Sequence, residues 1–519
     1  MLAHSARFSA QVIVGLALWS GPLMAEQPLS AINWLSESVT AAPGSVVDGT
    51  DSVVFQPGDS ERRVPEDVTV SVIGAVSLDA LGILSSNTTG LPRNLWGFGL
   101  TEEIAATVTA ERAGTLPALR SLLMTILLAE ADAPADSDGK GQLLLARIDK
   151  LLDMGALDQA ASLLAVAGDS TTDLFRRSFD VSLLLGTEDA TCKKMQSLPE
   201  LAPTPPARIF CLARAGEWNL AAIALGTARE AEAVSDEESM LLARFLEPEL
   251  GDDADPLPSP EKPSPLILRM YEAIGEPLSL QGLPVAFSHA DLNSRTGWKA
   301  QIEAAERLAR NGAIPANRLF GLYTERQAAA SGGVWDRVAA VQDFDEAAQN
   351  RDSAAIASAL PAVWKLMTEA ELEVPFASFY ASALQRQSLP VEADQLAFRV
   401  MLLSENYEKA ALARKSASPE EAFLVAIARG NLENITPPDA LARAIAPAFL
   451  DPQPSEDARE LIAQGRVGET MLLAIDLVQS GATGDLSDVT EGLTILRILG
   501  LEDTARRAAL ELILLERRG

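Results

Sequence analysis

The sequence predicts a mainly α protein: an irregular α-solenoid of short helix pairs, preceded by an extended N-terminal arm containing little β structure. Three observations lead there. Of 519 residues, 48% are hydrophobic but only 5% aromatic, and Ala and Leu dominate the apolar share, which favours helix over sheet. Apolar residues return at helical spacing in successive stripes. Gly- and Pro-containing stretches interrupt them roughly every 12–20 residues, so the helices are short.

Residues 1–25 read as a secretory signal peptide. His4 and Arg7 make a weakly basic start, an apolar run extends from Val12 to Trp19, and Gly21 and Pro22 end it. Ala25 then precedes a cut ahead of Glu26. The apolar run falls short of the ~20 residues that a spanning helix needs; an uncleaved anchor is the alternative. No Cys follows the cut and no twin Arg precedes the run. A short signal without Cys-rich modules behind it points to a bacterial periplasm. No integral membrane segment is expected after signal removal.

Residues 26–100 are rich in Gly, Pro, Ser, Asn and Val and read as an extended, partly disordered arm. Ala31–Val39 is a short helix, and Val68–Ile73 alternates as an extended stretch. Thr89–Trp96 sets turn formers ahead of an apolar anchor. Leu91, Arg93 and Trp96 are candidate contacts, either along the helical body or as a docking peptide for a partner.

From Thr101 the pattern is helical. Thr101 serves as a cap, with Glu102 and Glu103 in the first turn where the helix dipole favours acids. Leu116, Leu119, Leu122, Leu123, Ile126 and Leu127 form one stripe; Leu143, Leu144, Ile148, Leu151 and Leu152 form another. Ser235–Glu238 and Ser418–Glu421 fit capping boxes, and Thr436–Asp439 is a looser version. Ala131–Gly139 and the Pro-rich acidic stretch 251–265 read as linkers. The second divides an N-terminal helical-repeat domain, 101–250, from a C-terminal array, 266–519.

Cys192 and Cys211 are the only cysteines. The Pro-rich Leu198–Pro206 lies between them, so two helices folded across that turn bring them together. In an oxidising compartment they form a disulfide, or else remain two buried thiols. No C-x-x-C redox motif is present.

Several joints between helices share one pattern: Gly155–Ala161, Gly216–Ala222, Asn406–Ala411 and Gly500–Ala505. Gly or Asn ends one helix, an apolar residue fills the joint, and small residues let the next helix approach. Gly216-Glu217-Trp218-Asn219-Leu220-Ala221 resembles the turn of tetratricopeptide-type repeats, which implies stacked helix pairs and a protein-binding scaffold. The joints do not keep that family's period of about 34 residues, and an ordinary helical bundle is the alternative. Ile209–Trp218 and Ser331–Arg337 also look like a family of secreted proteobacterial proteins, some of them labelled antifreeze glycopeptide-like. That label implies tandem Ala-Ala-Thr, which occurs once, at Ala105–Thr107.

The chemistry of the chain is sparse. His289 is the only His beyond the signal, and no Gly-x-Ser-x-Gly elbow supplies a nucleophile for it. One His and two separated Cys do not make a zinc site. Asp136-Ser-Asp138-Gly139 lacks the first and last carboxylates of a calcium loop, and no phosphate loop is present. Glu37-Ser38 and Glu238-Ser239 are not followed by the turn typical of lytic transglycosylases. No catalytic residue, metal or cofactor is therefore expected. Trp298, Trp335 and Trp364 read as core.

Acids outnumber Lys and Arg by 72 to 42, a net charge of −30. This excludes nucleic acid held through phosphates and disfavours anionic lipid. The exception is Ala505–Arg518, where Arg506, Arg507, Arg517 and Arg518 flank an apolar stripe; Arg506 and Arg507 are candidate contacts to the acidic body or to an acidic partner. The leading expectation is a secreted periplasmic scaffold or adaptor, non-catalytic, that binds a protein partner in the cell envelope. The alternative is a peptidoglycan-directed enzyme or sugar-binding module with carboxylates in the solenoid groove.

Overall fold

A computed structural model describes residues 34–35, 77–168, 171–251, 255–293 and 295–515. The signal peptide, the Val68–Ile73 stretch, Arg517 and Arg518 lie outside the described residues, as does Ala31–Val39 apart from Trp34 and Leu35.

Among the described residues the fold is all α, and one isolated β-bridge pairs Leu84 with Ala129. The first helices are α1 (Ser86–Thr89), α2 (Thr101–Ala110), α3 (Pro117–Leu128), α4 (Gln142–Asp153), α5 (Leu157–Ala167) and α6 (Thr172–Leu185). Then come α7 (Glu188–Ser197), α8 (Pro205–Arg214), α9 (Trp218–Glu230), α10 (Asp236–Leu246) and α11 (Pro265–Ala273). A 3₁₀ stretch, Val285–Leu292, leads into α12 (Trp298–Arg310), α13 (Ala316–Thr324), α14 (Val334–Asn350), α15 (Ser353–Glu369), α16 (Glu373–Leu384) and α17 (Val391–Leu402). The last are α18 (Tyr407–Ala413), α19 (Pro419–Arg429), α20 (Ala440–Leu450), α21 (Glu456–Ala463), α22 (Val467–Thr483), α23 (Leu486–Ile498) and α24 (Glu502–Leu514).

Most helices pack on their neighbours in sequence, through a repeated joint. At Gly216 (φ 83°) the glycine N–H bonds the Ala213 carbonyl and the Glu217 N–H bonds that of Leu212, which satisfies the end of α8. The same closure recurs at Gly155, Gly312, Gly430, Gly465 and Gly500. Glu232, Arg351 and Glu371 take the left-handed position at three further joints, at a cost of roughly 1 kcal/mol each. The Asn406 joint closes without it, at φ −88°.

Two apolar cores result. The larger runs from Trp34 to Leu515; the smaller is built by residues between Phe175 and Tyr271. Helix α6 belongs to both: Leu174, Val181 and Leu184 enter the larger, while Phe175, Phe179 and Leu183 enter the smaller. Within the expected linker 251–265, Leu257 packs against the smaller core and its N–H bonds Glu276, and the Pro258 carbonyl accepts from the Tyr271 hydroxyl; Leu266 and Met270 just beyond are core. Helices α2–α5, placed by sequence in an N-terminal domain, share the larger core with buried residues from Ala286 to Leu515.

The array also closes on itself. Helix α24 packs on α3, and α22 packs on both α2 and α3. The Ala118 N–H bonds Glu511 at 2.9 Å, Thr115 bonds Gln479 at 2.9 Å, and the Gly468 N–H bonds the Leu95 carbonyl at 2.8 Å. A Cβ on Gly468 would stand 2.5 Å from the Trp96 ring, so only glycine lets α22 meet the indole.

Remote carboxylates, rather than local caps, start several helices. Thr101 does not cap α2; Asp136, from the expected linker, accepts both its N–H and its hydroxyl. Asp79 accepts the Leu144 N–H at the start of α4. Ala131–Gly139 is thus packed: Ser137 donates to Asp79, and Ala131 is buried. The Ser235–Glu238 capping box forms in full, Ser418 accepts from the Glu421 N–H, and Asp439 rather than Thr436 caps α20.

Candidate partner-binding surface

The N-terminal candidates become part of the body. Leu91 and Trp96 are buried in the larger core, so in this structure neither side chain offers a surface to a partner. Residues 77–100 are packed rather than extended. Buried Arg147 fixes them, donating to the carbonyls of Leu81, Leu127 and Ala129 at 2.7–2.8 Å. Burial pushes its guanidinium down to about 10, with Asp79 opposing, so it stays charged at neutral pH. Arg93 remains at the surface beside Glu130 and Asp132, whose hydrogen bonds and charge raise its pKa.

The C-terminal candidates divide. Arg506 pairs with Glu502 and with Glu408 of α18, and Gly430 lies beneath its guanidinium. Helix α24 therefore meets the acidic body at this point. Arg507 stands 3.8 Å from Asp503 and lines a cleft between α3, α13 and α16.

Cys192 of α7 and Cys211 of α8 are joined in a disulfide with Cα atoms 5.0 Å apart. Both are buried in the smaller core. His289 is also buried; its Nε2–H donates to the Gly155 carbonyl at 2.8 Å, and burial holds its pKa below the usual value. It ties the 3₁₀ stretch to the α4–α5 joint. Trp298 is buried and meets the half-buried Trp335 at 5.2 Å; Trp364 is half-buried against the same core. Among the described residues no group of three His, Cys, Asp or Glu could hold a metal, and no helix is long and apolar enough to cross a membrane.

The surface that stands out is on α9. Its inner face, Ala221, Leu225 and Ala228, packs into the smaller core between α8 and α10. Its outer side shows Leu220 at 51% and Ile223 at 66% exposure; Trp218, at the first position of the helix and in line with Ala221 and Leu225, is 51% exposed at the end of the inner face, and Met240 of α10 is 49% exposed. From Trp218 to Ala228 there is no charged residue. Exposed Glu217 lies at one end, and Arg229, Glu230, Glu232, Asp236 and Glu237, four acids to one Arg, lie at the other. An apolar centre within a charged rim is the anatomy of a protein interface.

Sequence reading placed Trp218 inside a helix joint, where the structure leaves it half exposed. The signal that marks the surface is the charge-free run itself, set in a chain with 22% charged residues. Period alone does not separate the faces, because both are apolar.

The architecture defines a class, an all-α protein of helical-repeat type. Comparison with known proteins returns no matching family model, no matching curated protein and no matching solved structure.

Proposed function

We propose that this chain is a non-catalytic scaffold or adaptor, carried to the periplasm by residues 1–25, that binds a protein partner in the cell envelope through the outer face of α9. The observation that carries the reading is the exposed pair Leu220 and Ile223 on the outer side of α9, beside the exposed Trp218 of its first turn, in a run, 218–228, that carries no charge. The joint pattern that resembles tetratricopeptide-type repeats supports it, since stacked helix pairs present side chains for binding without catalytic groups. The acidic rim selects a partner whose apolar patch is bordered by Lys or Arg.

The test places a photo-crosslinking amino acid at Ile223 in cells, with the equally exposed Val391 of α17 as control. The expected outcome is one envelope protein captured from position 223, absent from 391, and lost when Leu220→Glu is added. Identical capture at both positions, or capture that survives Leu220→Glu, overturns the proposal.

A further inference from the structure

A cleft in the larger core gathers positive charge on a strongly acidic chain. Two adjoining hollows, about 230 and 310 Å³, share Arg120, Arg310 and Glu371 in their walls. Arg507 joins the larger hollow, so three arginines there face one carboxylate. Arg120 is committed to the structure, donating to the carbonyls of Ala113, Thr115 and Arg310.

The other two guanidiniums are largely unspent. Arg310 gives its Nε–H to the Ala370 carbonyl and stands 3.9 Å from Glu371. Arg507 reaches Asp503 only at 3.8 Å, beyond hydrogen-bond length. Their remaining donors have no partner among the described residues. The first turns of α13 and α16 contribute Ala316 and Val374 to the same wall, and helix starts carry partial positive charge and unpaired N–H groups. Met124, Ile314 and Pro375 give the wall an apolar side, while Ser121, Thr125, Gln159 and Ser378 add polar groups.

We infer that this cleft binds a small monocarboxylate with an apolar body, its carboxylate held by Arg310 and Arg507 and its body lying against Met124, Ile314 and Val374. Guanidinium forks match carboxylates in geometry as well as charge. Glu371 in the wall opposes a dianion such as phosphate. The volume lies at the small end of ligand sites, which suits an acylated amino acid or a short-chain acid. This inference is independent of the α9 surface: a ligand in the cleft touches no residue of the smaller unit.

The test is calorimetric titration of the secreted, disulfide-bonded chain with N-acetyl-leucine, N-acetyl-leucinamide and inorganic phosphate. Saturable binding of N-acetyl-leucine is expected, with the amide and phosphate weaker by about tenfold or more. Arg507→Gln and Arg310→Gln should each weaken it by a similar factor. Ser378→Trp, at an exposed position on the cleft wall, should abolish it while circular dichroism stays unchanged. Equal binding of acid and amide, binding indifferent to both Arg507→Gln and Ser378→Trp, or no heat with N-acetyl-leucine would each overturn the proposal.

Discussion

The two cores are made of the same helix pairs but are held by different devices. The larger joins residues far apart in sequence, and its seams carry polar contacts: buried Arg147 on three carbonyls, buried Glu511 on the start of α3, and exposed Asp136 on the start of α2. The smaller is assembled from helices adjacent in the chain, carries a disulfide, and leaves one helix half uncovered. The contrast follows from size. A large core repays the loop-closure entropy of distant contacts, whereas a small one gains from a covalent staple. The uncovered helix lies on the unit with the smaller apolar core, and its exposed side is the surface that the proposed function uses.

The sharpest break of that comparison is Arg147→Ala. It leaves the Leu81, Leu127 and Ala129 carbonyls buried without their donor, a loss on the order of 3–5 kcal/mol. Hydrogen exchange should show residues 78–150 losing protection while α8–α10 keep theirs. Equal loss in both regions would mean that the two cores unfold as one.

The converse change is Cys192→Ser with Cys211→Ser. Opening a loop of 19 residues should destabilise the smaller unit by about 2–3 kcal/mol. Exchange should rise in α7–α10 and stay unchanged in α22–α24. A uniform rise would erase the distinction.

Legibility in the sequence divides along the same line. Helical stripes, joint glycines and the Ser235 capping box are local, and each lies where the pattern places it. The pairing of Cys192 with Cys211 also spans a short loop. The caps donated by Asp79, Asp136 and Glu511 were not legible, because no local pattern says which distant carboxylate will reach an unpaired N–H. Nor was the meeting of α22 and α24 with α2 and α3. Trp96 was legible as an anchor, but its partner Gly468 was not.

A third prediction tests the seam by pH. Glu111, buried at the end of α2, has its carboxyl pushed up to about 7, first by burial and then by Asp476 of α22. The folded state therefore holds this proton more tightly than the unfolded chain does. Its contribution is full below about pH 4.5 and is lost as pH rises through about 7. Glu111→Gln should stabilise the protein at pH 8 by about 1–3 kcal/mol and have little effect near pH 4. The disulfide-bonded unit should not respond. His289 works in the opposite sense: its depressed pKa gives stability above about pH 6.5 that falls away on acidification. An advantage of Glu111→Gln that grew toward acid pH would contradict the assignment.

The smallest expected effect bears most directly on function. Ile223→Asp changes a side chain that is 66% exposed, so stability should shift by no more than about 0.5 kcal/mol. Two positions along, Leu225 is buried on the inner face, and Leu225→Asp places an unpaired carboxylate in the core, a loss of several kcal/mol by order of magnitude. Thermal melts of the two variants compare the faces of a single helix, with composition and propensity nearly constant. A wide gap means that the outer face contributes nothing to folding, which leaves its apolar character to be accounted for by the proposed docking. If Ile223→Asp were as costly as Leu225→Asp, the face would be covered within the folded chain itself. The α9 surface would then be part of the core, and the adaptor reading would lose the observation that carries it.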